Sequence, residues 1–113
     1  MDEKVLLQAR EEIAQIDAEM AALFCRRMQT VEQIAAYKKQ KGLPVFDGAR
    51  ERALIERNLA TVENEQYAAY YLRFLQEVMQ LSREYQLQLL GDAAVIDAAI
   101  EEENCEDPAR TER

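Results

Sequence analysis

The fold is decided by residues 3–42, which read EKVLLQAREEIAQIDAEMAALFCRRMQTVEQIAAYKKQKG. This stretch contains no proline, its only glycine is the last residue, Gly42, and Pro44 follows shortly afterwards. Because glycine and proline commonly end helices, the pattern predicts one uninterrupted helix from about Glu3 to about Lys41. At 1.5 Å per residue this helix is about 57 Å long, which exceeds the diameter of a small domain.

Apolar residues recur along this helix with heptad spacing. The a positions hold Leu6, Ile13, Met20 and Ile34, and the d positions hold Ala9, Ile16, Leu23 and Tyr37. Because an apolar stripe of this length is stable only when covered, the pattern predicts that the helix pairs with a second chain.

Two further helices are predicted downstream. Asp47 is a plausible N-cap for a helix over about residues 48–62, and a third helix is expected over about residues 65–90. Along the third helix, apolar residues repeat at spacings of three and four, namely Tyr67, Tyr71, Phe74, Leu75, Val78, Leu81, Tyr85 and Leu89. No alternating strand pattern is present, so the fold class is all-α, with three helices of which the first is very long.

The last part of the chain differs in composition. Residues 95–100 have the spacing of a short amphipathic helix, and from Glu101 the sequence is highly charged and includes Pro108. Such a composition is typical of disordered tails. We therefore expect one functional domain over residues 1–90, followed by a short possible helix and a charged tail over residues 91–113.

Composition excludes several classes of function. The formal net charge of −8 argues against nucleic acid or an anionic membrane as the partner, because both bind basic surfaces. No apolar run is long enough to span a bilayer, and residues 1–10 lack a signal-peptide pattern, which favours a cytoplasmic protein. Cys25 and Cys105 have neither metal-ligand spacing nor a disulfide pattern, so neither a metal nor a disulfide is expected.

The chain also contains no histidine. The usual general base at neutral pH and the usual partner of a catalytic serine or cysteine are therefore missing. If the protein is an enzyme, we expect its reaction to depend on positioning and electrostatics more than on proton transfer.

Two cations on the long helix have a spacing that suits a small anion. Lys38 follows Arg27 by eleven residues, or three turns, so the two side chains project within roughly 20° of each other, about 17 Å apart along the axis. Arg27 also occupies an a position, where an arginine is costly unless paired. The alternative interpretation is that Arg27 sets the helix register through a salt bridge.

Arg10 lies about 26 Å from Arg27 along the helix and faces another side. It does not reach the same pocket within one chain, but in an antiparallel dimer the Arg10 of one chain approaches the Arg27–Lys38 region of the other. The alternative is a solvated arginine that pairs with Asp17 or Glu11.

Polar residues on the other two helices complete the set of candidates. Asp47 and Glu51 stand four residues apart at the start of the second helix, and Ser82 and Gln86 are likewise four apart on the third. Asp47 as a helix cap, and Ser82 with Gln86 as internally satisfied polar groups, are the simpler interpretations. Neither excludes a role in binding a ligand.

Taken together, these residues resemble a known family. The matching elements are residues 7–17 (LQAREEIAQID), Arg26-Arg27, Lys38, residues 42–47 (GLPVFD), Arg50-Glu51 and residues 82–86 (SREYQ). In order and spacing they are similar to the all-helical chorismate mutases, over about residues 5–90. The resemblance implies an intertwined homodimer of three-helix chains, with active sites that combine residues from both chains.

The resemblance further implies conversion of the dianion chorismate to prephenate, on the way to phenylalanine and tyrosine, without metal or cofactor. By position, Lys38 and Gln86 would contact the ether oxygen, which gains negative charge as its bond breaks. Arg27 and the partner subunit's Arg10 would bind carboxylates, and Glu51 would hold the ring hydroxyl. Asp47 and Ser82 would line the pocket, and Arg50 would order one of the two carboxylates on the second helix.

Other interpretations remain open at this stage. An isochorismate pyruvate-lyase has the same scaffold and a similar cationic site, and a non-enzymatic dimerisation module would use the cations only as salt bridges. Some relatives carry the mutase at the start of a longer bifunctional chain, so the sequence is either a monofunctional enzyme or an excised domain.

Overall fold

The computed structural model describes residues 2–91, and these form three consecutive α-helices. They are α1 (Glu3–Lys41), α2 (Gly48–Leu59) and α3 (Glu65–Leu90). The predicted all-α, three-helix architecture with a very long first helix is confirmed. The short helix and the charged tail expected after Gly91 lie outside the described residues.

The ends of α1 follow from local side-chain and backbone chemistry. At its start, the Asp2 carboxylate accepts a hydrogen bond of 3.1 Å from the backbone N–H of Val5. At its end, Gly42 adopts the left-handed conformation with φ of 68°, and the N–H of Leu43 donates to the Lys38 carbonyl at 2.9 Å. The Asp2 carboxylate pairs with an N–H that the start of a helix leaves unpaired, and the Leu43 N–H pairs with a carbonyl that the end of a helix leaves unpaired. These local contacts explain why the predicted limits are correct.

Helix α2 begins as predicted but is shorter than expected. The Asp47 carboxylate accepts from the backbone N–H of Arg50 at 3.1 Å, so Asp47 is the N-cap. The helix ends at Leu59, whereas the sequence suggested an end near residue 62. The Thr61 hydroxyl donates to the Asn58 carbonyl at 2.7 Å, which replaces the next helical hydrogen bond with a local turn.

Helix α3 is the centre of the chain, because it packs against both α1 and α2. Leu87 and Leu90 near its end enclose Val45 from the loop between α1 and α2. The face buried most deeply also includes Leu75 and Met79, together with two polar residues considered below. By contrast, Tyr67, Phe74 and Leu89 from the predicted apolar stripe are exposed in the single chain.

Most of α1 has no cover within residues 2–91. Its only buried residues are Val31 and Ala35, both in its C-terminal part. Large apolar side chains are exposed along the rest of the helix, namely Leu6, Leu7, Ile13, Ile16, Met20, Leu23 and Phe24. The molecule is 56 Å long with a radius of gyration of 17.4 Å, against about 13 Å for a compact domain of about 100 residues.

None of the three helices combines the length and the apolar character that crossing a bilayer requires.

The left-handed conformation of Gly42 generates a prediction about stability. A Cβ added at Gly42 would meet no heavy atom within 4 Å, so a Gly42→Ala substitution has only a backbone cost. We expect the free energy of unfolding to fall by about 1–2 kcal/mol, measured by urea denaturation at fixed protein concentration. Gly42→Asn is the control and should lose less, because asparagine tolerates this conformation better. Equal stability of the alanine variant and the parent would contradict this account.

Candidate active site

A cleft of about 300 Å³ lies between the C-terminal part of α1, the loop that follows it, the start of α2 and the middle of α3. Its charged lining residues are the cations Arg27, Lys38, Arg50 and Arg83 and the carboxylates Asp47 and Glu51. Its apolar lining residues are Val31, Ile34, Val45, Leu54 and Met79. The size and the mixed lining are typical of a pocket for a small organic molecule.

Six of the seven residues singled out in the sequence line this cleft, namely Arg27, Lys38, Asp47, Glu51, Ser82 and Gln86. They come together because α1 supplies its cations three turns apart on one face. The Asp47 cap starts α2 directly beside them, and α3 places Ser82 and Gln86 on its buried face. Their clustering in one cleft is a finding of the structure.

The Lys38 side chain is anchored to the loop that follows α1. Its ammonium donates a hydrogen bond of 2.7 Å to the backbone carbonyl of Val45, which is buried. Burial lowers the pKa of Lys38 below its ordinary value, and the positive charge of Arg50 acts in the same direction, whereas Asp47 and Glu51 raise it. The cation is thus partly desolvated, and two carboxylates offset some of that cost.

Ser82 and Gln86 are buried polar residues one turn apart on α3. Their side chains are 8% and 6% exposed, and the Gln86 Nε2 donates to the Ser82 Oγ over a long 3.4 Å. No donor among the described residues reaches the other amide atom, Oε1. Because a hydroxyl both donates and accepts, Ser82 is able to hold the Gln86 amide in either orientation. The amide therefore has hydrogen-bonding capacity left for a ligand.

Arg83 also lines the cleft, although in the sequence it stands only within the motif SREYQ and no role is predicted for it. Its Nη1 donates to the Glu51 Oε1 at 2.5 Å, an ion pair that joins α3 to α2. Its guanidinium also lies over the Phe46 ring, 5.5 Å from the ring centroid. The only signal in the sequence was a cation beside Ser82, and nothing there identified Glu51 as its partner.

Arg10 is the remaining candidate, and it is exposed on α1 away from the cleft. This agrees with the distance calculated from the sequence, because about 26 Å of helix separates it from Arg27. Within residues 2–91, the cleft of one chain is therefore formed without Arg10.

The charge of the cleft differs in sign from that of the protein. Four cations and two carboxylates leave two positive charges in excess, although the chain as a whole carries −8. Such a site attracts small anions more strongly than the rest of this acidic surface does. Among the described residues, no group of three or more acidic or cysteine side chains is arranged to hold a metal ion.

Comparisons with known proteins give a match to a family and a match to a segment of one known protein. The family model described as "Chorismate mutase type II" matches residues 9–87 of this chain. A segment of 53 residues, 47% of the chain, is 36% identical to the T-protein of Haemophilus influenzae. That segment spans only 14% of the length of the T-protein. No solved structure gives a significant match.

The charges around Lys38 generate a prediction about its titration. Asp47→Asn removes a negative charge that raises the pKa of Lys38, so that pKa should fall further. Arg50→Gln removes a positive charge that lowers it, so that pKa should rise. The two variants neutralise charges of opposite sign, and each serves as the control for the other. Titration of the Lys38 side chain by NMR measures both, and shifts in the same direction would contradict the described cleft.

Proposed function

Because this chain belongs to the chorismate mutase type II family, we propose that it is an isomerase that rearranges chorismate to prephenate. The observation that supports this proposal is the cleft, whose lining combines two excess positive charges, the buried amide of Gln86 and apolar side chains. Chorismate is a dianion with a ring and an enolpyruvyl ether, and it fits this combination of charge and shape. The direct test is to mix the protein with chorismate and follow its disappearance and the appearance of prephenate, with isochorismate as the comparison substrate.

The proposed reaction suits a site without histidine. In the Claisen rearrangement, the ether C–O bond breaks while a new C–C bond forms within the same molecule. No proton is transferred and no nucleophile is required, so the protein accelerates the reaction by holding the compact conformer and by stabilising charge.

We propose that Lys38 and Gln86 are the catalytic residues. As the C–O bond breaks, the ether oxygen gains negative charge, and donors directed at it bind the transition state more tightly than the substrate. The Lys38 ammonium, anchored on the Val45 carbonyl, has two further N–H groups to offer. The Gln86 amide is buried, and Ser82 orients it.

The other candidates are proposed to bind the substrate. Arg27 is half-buried in the cleft and is assigned to a substrate carboxylate, to which arginine donates two parallel hydrogen bonds. Glu51 is assigned to the ring hydroxyl, as an acceptor at the start of α2. Asp47 caps that helix and, with Ser82, shapes the wall of the pocket.

We further propose that the enzyme is a homodimer in which α1 pairs with its counterpart and the partner subunit's Arg10 completes each site. The exposed apolar side chains of α1 support this proposal, because a stripe of this length on a single chain would otherwise contact water. Residues 1–90 are proposed to be the catalytic domain, since they include every residue assigned above.

A shared site predicts complementation between two inactive variants. Arg10→Ala and Arg27→Ala homodimers should both be inactive or nearly so, because each loses a carboxylate-binding arginine in both sites. Mixing the two and allowing exchange of subunits should restore one intact site in each heterodimer, so activity should return to at most half that of the parent per heterodimer. Sedimentation analysis should give about twice the mass of one chain, whereas a stable and active monomer would contradict the proposal.

The proposed role of Gln86 predicts that replacing its amide with a carboxyl group makes turnover dependent on pH. In Gln86→Glu, an ionised carboxylate offers no donor and repels the ether oxygen, so turnover at saturating substrate should be poor at neutral pH. It should recover as the pH falls through the pKa of the new carboxyl, because the protonated form donates again. Gln86→Ala should lose about 10²–10³-fold at every pH.

Gln88→Glu, at an exposed position on the same helix, is a matched control for the added charge. Its profile should follow that of the parent. If Gln86→Glu turned over as fast as the parent at neutral pH, or gained nothing at low pH, Gln86 would not donate to the ether oxygen.

A further inference from the structure

The ion pair between Arg83 and Glu51 has no role in the function proposed so far, although it lies in the wall of the cleft. We propose that Arg83 is a positioning residue, which holds the Glu51 carboxylate away from Lys38 and so keeps the Lys38 ammonium available to an anionic ligand. This inference rests on the proposed function, because it concerns the same site and the same substrate.

Two cations of the cleft, Arg83 and Lys38, lie close enough to Glu51 to interact with its charge. Arg83 bonds to it directly at 2.5 Å, and Lys38 is close enough for the charge of Glu51 to raise its pKa. In the structure the carboxylate is paired with Arg83, while the Lys38 ammonium donates to a neutral acceptor, the Val45 carbonyl. The arrangement therefore separates the lysine from the carboxylate that would otherwise neutralise it.

Arg83 is held in place more firmly than Lys38 for an ion pair with Glu51. Its guanidinium packs over the Phe46 ring, so its position is determined from the loop as well as from α3. The side chains of Arg83 and Glu51 are only 17% and 22% exposed, which limits the screening of their attraction by water. A planar guanidinium also loses less freedom than an ammonium for each hydrogen bond that it forms to a carboxylate.

Removing Arg83 would take away the ion-pair partner of Glu51. Glu51 would then be a partly buried carboxylate without its partner, and such a group is costly until it finds another cation. Lys38 stands in the same cleft, and a Lys38–Glu51 ion pair would occupy both groups that the substrate requires. The loss would appear in catalysis even if the fold were intact.

A double-mutant cycle tests this inference. Arg83→Gln should lower kcat/KM by about tenfold or more when Glu51 is present. In the Glu51→Gln background the same substitution should have little effect, because no carboxylate remains to capture Lys38. Arg83→Lys should retain part of the activity, since it keeps the charge but not the planar packing on Phe46. Arg73→Gln removes an exposed positive charge from the same helix and is the control.

A second measurement does not depend on activity. Side-chain NMR should show that Arg83→Gln raises the pKa of Lys38, because Glu51 moves towards the ammonium, and that the rise is absent when Glu51→Gln is added. Besides Glu51, the charged groups that act on Lys38 are Asp47 and Arg50, and none of these variants alters Asp47 or Arg50. Thermal denaturation of each variant identifies losses that come from unfolding.

The outcomes are separable from those of the proposed function. If the parent does not consume chorismate, the proposed function fails, and the NMR experiment still tests the competition for Glu51. If the parent is active but Arg83→Gln is equally active, or costs the same factor in both Glu51 backgrounds, Arg83 has no positioning role. An unchanged pKa of Lys38 in Arg83→Gln would likewise overturn the inference.

Discussion

The length of α1 is the constraint on which the rest of the structure depends. The helix runs for 39 residues, but α2 and α3 cover it only around Val31 and Ala35. The cleft is confined to this covered part, since a pocket requires walls from more than one element. Among residues 2–91, the remainder of α1 leaves Ile13, Met20 and other apolar side chains exposed, and the buried core that these residues form is small. In the proposed homodimer, association, folding and completion of the site would be linked.

Within the cleft, the chain solves the problem of placing cations in an acidic protein. Partial burial of an ammonium is unfavourable, and it lowers the pKa of Lys38 below its ordinary value. The Val45 carbonyl and the nearby carboxylates of Asp47 and Glu51 reduce it without forming a direct salt bridge to the lysine in the structure described. A charge that is already fixed need not be reorganised when the ligand binds, which is the physical basis of electrostatic catalysis.

The cations in the cleft also differ in how they are used. Arg83 is bonded to Glu51 and packed on Phe46, so its charge is used in contacts within the protein. Lys38 is bonded only to a neutral carbonyl in the structure described, so its charge is available to a ligand. This division separates the proposed ligand-binding cations from the one that maintains the site. The contacts of Arg83 also link the loop at Phe46, the start of α2 and the C-terminal half of α3, because a change at any of the three would alter the position of Glu51.

The sequence by itself determined the three helices and most of their ends, because these depend on neighbours within a few residues. Gly42 and Asp47 act locally as caps, and each is recognisable without knowledge of the fold. It also indicated the cleft residues Arg27 and Lys38, since their separation along one helix is fixed by helix geometry. Only the tertiary structure decided which face of α3 is buried and that Arg83 rather than Lys38 pairs with Glu51. The physical reason is that these outcomes are competitions between distant groups for the same space or the same charge, and 32 residues separate Glu51 from Arg83 in the chain.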